Sequence, residues 1–150
     1  MLEVIEHGDI TAVKLKPHQR DVYFYLVDGM LIDTGTPNLQ HKIIPFYQEN
    51  DFDFACLTHS HEDHSGTGAW LVNQGEIPIY AHEKAVEVCK KPGDYPKYRQ
   101  VAWGLRKEGF PVTPLQETVH SRNLKWEVIE TPGHADDHVA FYNRENGLLF

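Results

Sequence analysis

The stretch LTHSHEDHSG, residues 57–66, constrains this chain more than any other part of its sequence. It places His59, His61, Asp63 and His64 within six positions, directly after the apolar segment FDFACL. Crowded imidazole and carboxylate groups are costly to bury unless they titrate, disperse, form hydrogen bonds or share a cation. Because neutral imidazole and carboxylate are good zinc ligands, the cluster predicts a metal site where a buried strand turns into a helix. The alternative is a histidine-rich polar surface turn, which explains neither the spacing nor this position.

Strands and helices alternate along the rest of the chain. LEVIEHGDITAVKL and DVYFYLVDGMLIDTG predict short strands, and the second predicts a hairpin that turns at DGM. Helices are expected from Thr36-Pro37 onward, over SGTGAWLVNQG with its end at Gly75, over EKAVEVCKK and over residues 98–107. LKWEVIETPGH and DHVAFYN predict further strands, and LLF predicts the beginning of one more. This order indicates one α/β domain over residues 1–150.

Three residues outside the cluster are candidates for the same site. His134 follows a Thr-Pro-Gly turn at the carboxyl end of a predicted strand, where α/β sheets place their sites, so we expect a further ligand. Asp33 ends an apolar strand, and we expect its carboxylate to hold the histidine loop by hydrogen bonds. An exposed turn residue or helix cap is the alternative for Asp33. His138 is expected to be structural, with contact to a substrate or to a metal ligand as its alternative.

Composition excludes several classes of protein. The net charge of −8 argues against a broadly basic surface that coats nucleic acid. Cys56 and Cys89 are too few for a disulfide framework, and we expect buried thiols in a reducing compartment. No apolar run approaches the ~20 residues of a membrane helix, and MLEVIEHGDI lacks the basic start of a secretory signal. A cytoplasmic protein without a membrane partner is therefore expected, and nothing in the sequence indicates an oligomeric state.

One local departure from this acidic balance keeps a nucleic-acid partner open. Residues 84–107 carry seven basic and two acidic side chains, a charge of +5, whereas the rest of the chain carries −13. Four aromatic residues lie in or beside this basic window. Basic and aromatic groups together are typical of proteins that bind single-stranded RNA or DNA. A solvated helical face is the alternative explanation.

Three motifs in order along the chain resemble those of the metallo-β-lactamase fold superfamily. THSHEDHSG is similar to its His-x-His-x-Asp-His signature, YLVDGMLIDTG to its early hairpin and TPGHADDHVAFY to its third motif. The form TPGHADDH is nearest to the β-lactamase-like branch that includes single-strand endoribonucleases. The resemblance implies a four-layer αββα sandwich. This chain would form the N-terminal portion of that sandwich, about the first half to two-thirds of the full domain.

The resemblance also implies a set of ligands. It implies His59, His61 and His134 around a first zinc ion and Asp63 and His64 at a second, with iron or manganese as alternative metals. The family's bridging aspartate and last histidine come after the strand that begins LLF, so we expect an N-terminal piece of a longer enzyme. The alternative is a natural chain of this length that completes its site by association with another chain. Iron-dependent oxygen-reducing relatives carry a glutamate at the position of His61, which argues against a redox role.

The resulting hypothesis is a zinc-dependent hydrolase that uses a metal-activated hydroxide on a small molecule. An ester, thioester, lactone or similar bond is the expected target, with Asp63 orienting the hydroxide or accepting its proton. One alternative is a phosphodiesterase or endoribonuclease acting on single-stranded RNA. The other is a catalytically incomplete fragment that binds metal. The motifs do not choose the substrate, because one scaffold carries many chemistries.

Overall fold

Two β-sheets of unequal size lie face to face in the computed structural model, which describes residues 1–150. The larger sheet has seven strands that neighbour one another in chain order. They are β1 (Leu2–His7), β2 (Ile10–Leu15), β3 (Val22–Val27), β4 (Met30–Ile32), β5 (Phe54–Cys56), β6 (Ile79–Ala81) and β7 (Thr113–Pro114). Strands β1 to β4 pair antiparallel, and β4 to β7 pair parallel. The β3–β4 hairpin predicted at DGM is confirmed.

Short helices connect the parallel strands. A 3-10 helix (Pro37–Leu39) leads into α1 (Gln40–Glu49), and α2 (Glu62–Ser65), α3 (Gly68–Asn73), α4 (Ala85–Cys89) and α5 (Lys97–Trp103) follow. The helix predicted from Thr36-Pro37 is confirmed, and the apolar residues at helical spacing along it are buried, namely Leu39, Ile43, Phe46 and Tyr47. None of these helices is long and apolar enough to cross a membrane.

The end predicted for α3 is wrong. This helix ends at Asn73, and the residue with positive φ in the following turn is Glu76, at 55°. Gly75 is needed for a different reason, since a Cβ there would lie 2.8 Å from the carbonyl oxygen of Leu71. The small size of Gly75, and not its conformational freedom, lets the chain leave the helix at this point.

The smaller sheet has three antiparallel strands, β8 (Thr118–His120), β9 (Lys125–Glu130) and β10 (Val139–Tyr142), with β9 in the middle. Strands β7 and β8 are missing from the sequence prediction because two or three residues, one of them Pro114, carry no strand pattern. The beginning of a strand predicted at LLF is confirmed, because Phe141 and Phe150 exchange two backbone hydrogen bonds of 2.8 and 2.9 Å.

Two apolar cores produce the layered architecture. The larger core lies between the helices and one face of the large sheet. The smaller core lies between the sheets and contains Val27, Met30, Ile32, Cys56, Trp126, Val139 and Phe141. Helices, large sheet and small sheet form three layers, which are three of the four layers of the predicted αββα sandwich. Residues 1–150 contain no second helical layer over the small sheet, and Ile129 on that sheet is 40% exposed.

Polar contacts join the sheets at two opposite places. Asp28, in the β3–β4 turn, accepts hydrogen bonds from the backbone N–H groups of Asn123 and Leu124, at 2.7 and 2.9 Å. At the other place, the N–H of Val139 donates to the carbonyl of Thr58 across 2.8 Å. This second contact sets the beginning of β10 directly against the chain that leaves β5. The two histidine-bearing loops therefore meet at one edge of the sandwich.

Candidate metal centre

The loop after β5 carries His59, His61, Asp63 and His64 into the short helix α2. Ser65, which is fully buried, fixes the shape of this loop. Its hydroxyl is shared between the carbonyl oxygens of Ser60 and His61, at 2.8 and 3.0 Å. Because both carbonyls are tied to one buried side chain, the backbone that presents the histidines has little freedom to move.

The second loop, residues 131–138, carries His134 to the first one. The N–H of Thr131 donates to the carbonyl of His138 at 2.9 Å, which closes the loop at its base. Asp137 is buried, and its carboxylate accepts the N–H of Ser60 at 2.8 Å. This bond between side chain and backbone holds the two loops in a fixed relation, although 77 positions separate its partners.

Three imidazoles converge where the loops meet. His59, His61 and His134 each offer a ring nitrogen, and these three atoms lie within 4.8 Å of one another. The ring centroids are 4.7 Å apart for His59 and His61, 5.0 Å for His59 and His134, and 4.9 Å for His61 and His134. The nearest pair of nitrogens is Nδ1 of His61 and Nε2 of His134, at 3.2 Å.

His59 shows most clearly that this cluster fits a metal ion. Its Nδ1 lies 3.0 Å from the hydroxyl of Thr58, which itself donates to Asp33 at 2.8 Å. The Thr58 oxygen therefore accepts from Nδ1–H, and the lone pair of His59 is left on Nε2. That Nε2 atom is buried and has no hydrogen-bond partner. Since buried polar atoms are rarely left unpaired, an electron-pair acceptor such as a divalent metal ion fits this position.

The electrostatics also favour the neutral rings that metals need. Burial, assisted by the neighbouring imidazoles, lowers the pKa of His59 to about 2. Burial and then the Arg99 guanidinium lower the pKa of His61 below its usual value. Neutral imidazole keeps a free lone pair on one nitrogen, and only this form is a ligand.

Asp63 and His64 lie together beside the three histidines. The ring of His64 is 4.3 Å from that of His59, and its Nε2 lies 3.5 Å from a carboxylate oxygen of Asp63. Burial works against a charged His64, but the carboxylates of Asp33, Asp63 and Glu62 outweigh it and raise the pKa to about 9. These negatively charged carboxylates favour a positive charge on His64 or on an ion beside it.

The Asp33 carboxylate forms hydrogen bonds with His64 and with Thr58, the residue whose hydroxyl contacts His59. It is 4% exposed, so the alternative of an exposed turn residue is wrong. One carboxylate oxygen accepts the N–H of Thr58 at 2.7 Å, and the other accepts the Thr58 hydroxyl at 2.8 Å and Nδ1 of His64 at 2.7 Å. Its φ of 63° is left-handed, a conformation that aspartate tolerates better than most residues.

His138 lies at the edge of the cluster. Its ring is 4.9 Å from that of His59, and its Nδ1 is 2.7 Å from the hydroxyl of Thr131. This bond adds to the backbone closure of the 131–138 loop. Burial lowers the pKa of His138, so its ring stays neutral near the other imidazoles.

Several residues that shape the site are absent from the sequence prediction. Glu62, inside the histidine motif, is 2% exposed and bonded to Arg99. Arg106 is 4% exposed and donates to the Ser65 hydroxyl at 2.9 Å. Two of the basic residues counted in the window 84–107, Arg99 and Arg106, therefore bind groups of the protein itself. No periodicity in the sequence links these partners, and only the presence of Glu62 between two candidate ligands gave a signal.

A cleft of about 530 Å³ opens beside the histidines. His61, Asp63 and His134 line it, together with Arg20 and residues of α5, including Tyr98. The cleft thus offers a small molecule access to the candidate metal ligands, with aromatic and cationic groups in the same lining.

Comparison with known proteins is consistent with this geometry. A family model described as the metallo-beta-lactamase superfamily matches residues 19–150. The chain is 34% identical over 112 residues to a hydroxyacylglutathione hydrolase from Hydrogenovibrio crunogenus, covering 73% of this chain and 35% of that protein. It is 28% identical over 125 residues to thioesterase pkgB from Emericella nidulans, covering 81% of this chain and 31% of that protein.

A solved structure shows the same fold. The metallo-beta-lactamase from Pontibacter korlensis superposes with a TM-score of 0.74 at 19% identity, over 100% of this chain and 70% of that one. The chain spans about a third to a half of the length of the curated relatives it matches.

Proposed function

Because this chain belongs to the metallo-beta-lactamase superfamily, we propose that it carries the metal-binding part of a hydrolase acting on small-molecule thioesters or esters. The observation that carries the proposal is the buried, unpartnered Nε2 of His59 beside the ring nitrogens of His61 and His134. Relatives named hydroxyacylglutathione hydrolase and thioesterase support a thioester as the substrate. The two free, buried cysteines suit a reducing compartment, which supports a cytoplasmic location.

The proposed metal is zinc, held first by His59, His61 and His134. Asp63 and His64 would contribute to a second ion, for which this chain supplies fewer ligands. When bound, a divalent metal ion supplies Lewis acidity and makes water a nucleophile at neutral pH. Imidazole and carboxylate donors suit zinc, and they also accept iron or manganese.

The protein's own groups have distinct tasks in this proposal. Asp63, which borders the cleft, would orient the attacking water and accept its proton. Asp33 would keep the hydrogen of His64 on Nδ1, so that Nε2 faces Asp63 and the site. His138, bonded to Thr131, would hold the loop that presents His134. The cleft wall formed by α5 and Arg20 would bind the rest of the substrate and limit access of bulk water.

The structure lends no particular support to RNA as the substrate. Arg99 and Arg106 are tied to Glu62 and Ser65, and Lys90 pairs with Glu87 at 2.8 Å. The window with a formal charge of +5 is therefore not a continuous free basic surface. Stacking on aromatic residues along a basic groove is what single-strand binding requires.

One experiment separates the proposed function from its alternatives. The protein is purified without chelator, its metal content is measured, and hydrolysis is assayed on a thioester, the matching oxygen ester, a lactone, a phosphodiester and single-stranded RNA. We expect bound zinc and fastest turnover of the thioester, both lost in His59→Ala. Metal binding without turnover of any substrate would support the incomplete fragment, and preferential cleavage of RNA would support the nuclease. A chain that acquires no divalent metal would contradict the proposal.

A further inference from the structure

We propose that Arg99 is a positioning residue which, through Glu62, fixes His61 and ties the cleft wall to the candidate metal ligands. The inference rests on the proposed function, because it concerns how the same metal centre is held. It also gives a role to the basic window of the sequence, which the proposed hydrolase otherwise leaves unexplained.

The first observation is the burial of Glu62. This residue lies between His61 and Asp63 and is 2% exposed, so its carboxylate requires a partner. Arg99 meets it with two nearly parallel hydrogen bonds, from Nε at 2.7 Å and from Nη2 at 2.6 Å. A bidentate guanidinium–carboxylate pair fixes both direction and distance, which a single lysine contact does not.

The second observation is how weakly helix α5 is otherwise attached. None of its seven residues is buried. Besides the Glu62–Arg99 pair, the Asn38 side chain donates to the carbonyl of Ala102 at 3.3 Å, and Trp103 packs partly against the core. Since Tyr98 and Ala102 of this helix line the cleft, the ion pair is the strongest link between cleft wall and histidine loop.

The third observation is a second arginine from the same part of the chain. Arg106 donates to the hydroxyl of Ser65, and that hydroxyl binds the carbonyls of Ser60 and His61. Arg106 also donates to the carbonyls of Val88 and Lys91, at 3.0 and 3.3 Å. Two arginines, seven positions apart, therefore hold the loop on both sides of His61.

These contacts predict an effect on metal binding as well as on folding. His61 immediately precedes Glu62, and its ring nitrogen must stay near those of His59 and His134 to share one ion. Residues that orient metal ligands typically change metal affinity 10- to 100-fold when they are removed. An ion pair with a purely structural role would lower stability without changing the affinity of the folded protein for metal.

The test compares Arg99→Ala with Arg144→Ala in the full chain. Arg144 is a matched control, because it forms a bidentate pair with Glu127 at 2.9 and 3.1 Å on the exposed small sheet. Zinc Kd is measured by chelator competition, the cobalt-substituted protein is examined by visible absorption, and the metal-free melting temperature is recorded. We expect Arg99→Ala to weaken zinc binding about 10- to 100-fold and to alter the cobalt spectrum, with Arg144→Ala unchanged.

Arg99→Lys keeps the positive charge without the paired hydrogen bonds. If Arg99→Ala fails to fold, Arg99→Lys should still fold. We expect its Kd for zinc to lie between those of the wild type and Arg99→Ala. A Kd within twofold of the wild type in the folded Arg99 variants, with an unchanged cobalt spectrum, would overturn the inference alone. A wild-type chain that binds neither zinc nor cobalt would instead overturn the proposed function together with the inference.

Discussion

Replacement of Asp33 by asparagine exchanges one carboxylate oxygen for an NH₂ group and tests how the candidate metal ligands are held. Asparagine adopts positive φ as readily as aspartate, so the backbone at 63° is retained. The amide can still accept the N–H of Thr58, and the hydroxyl of Thr58 can rotate to accept from it. The N–H at Nδ1 of His64, however, then faces an NH₂ group in place of a carboxylate oxygen. One charge-assisted hydrogen bond is lost.

The loss of that bond costs about 1.5–3 kcal/mol. For a chain of this size it lowers the melting temperature by roughly 3–12 °C. The ring of His64 can relieve the clash by moving its hydrogen to Nε2, the nitrogen that faces Asp63. A ring protonated there is no ligand, so we expect the second metal ion to bind about 10- to 100-fold more weakly.

Thermal unfolding of the metal-free protein and zinc titration measure the two effects of Asp33→Asn separately. Asp28→Asn is the matched control, because Asp28 also has positive φ and accepts several hydrogen bonds far from the histidines. We expect the control to lose stability and to keep its zinc affinity. If Asp33→Asn melts at the wild-type temperature and binds two zinc ions as tightly, the assignment of Asp33 as the support of His64 is refuted.

Three further predictions concern the site and the core. His134→Ala should lower the zinc content by one ion per chain in metal analysis, and because His134 is exposed it should change the stability of the metal-free protein by less than about 0.5 kcal/mol. The control His120→Ala, also at an exposed histidine, should change neither the zinc content nor the stability. Equal zinc content in both variants would exclude His134 as a ligand. Cys56 and Cys89 should resist alkylation by iodoacetamide at pH 8 in the folded protein and should react fully in denaturant. The reason is that burial raises the pKa of both thiols, that of Cys89 to about 11. Rapid alkylation of the native chain would contradict this prediction. Phe141→Ala should lower the free energy of unfolding in urea by about 3–5 kcal/mol, because Phe141 is fully buried between the sheets; a loss below about 1 kcal/mol would show that the small sheet contributes little.

Local patterns predicted most of the elements that carry the site. The turn at DGM, the apolar strand before His59 and the helix after Pro37 each follow from neighbouring residues, and the structure has all three. Positive φ at Glu76 and the two-residue strand β7 depend on packing, and no local pattern marks them.

The assembly of the site depends on contacts between distant parts of the chain. His134 reaches His59 because Val139 pairs with Thr58 and Asp137 binds Ser60, contacts that no spacing within either segment specifies. The position of His134 at the carboxyl end of a predicted strand and the resemblance to a family indicated that the two motifs meet, whereas periodicity did not. The Glu62–Arg99 pair spans 37 positions, and the sequence alone suggested a free basic surface where the structure has a partly buried ion pair.

The most direct test of the metal centre is a crystal structure of the zinc-loaded protein with anomalous data collected at the zinc edge. We expect an anomalous peak about 2.0–2.1 Å from Nε2 of His59, Nδ1 of His61 and Nε2 of His134. Absence of that peak, with the 3.2 Å contact between His61 and His134 kept as a simple hydrogen bond, would contradict it.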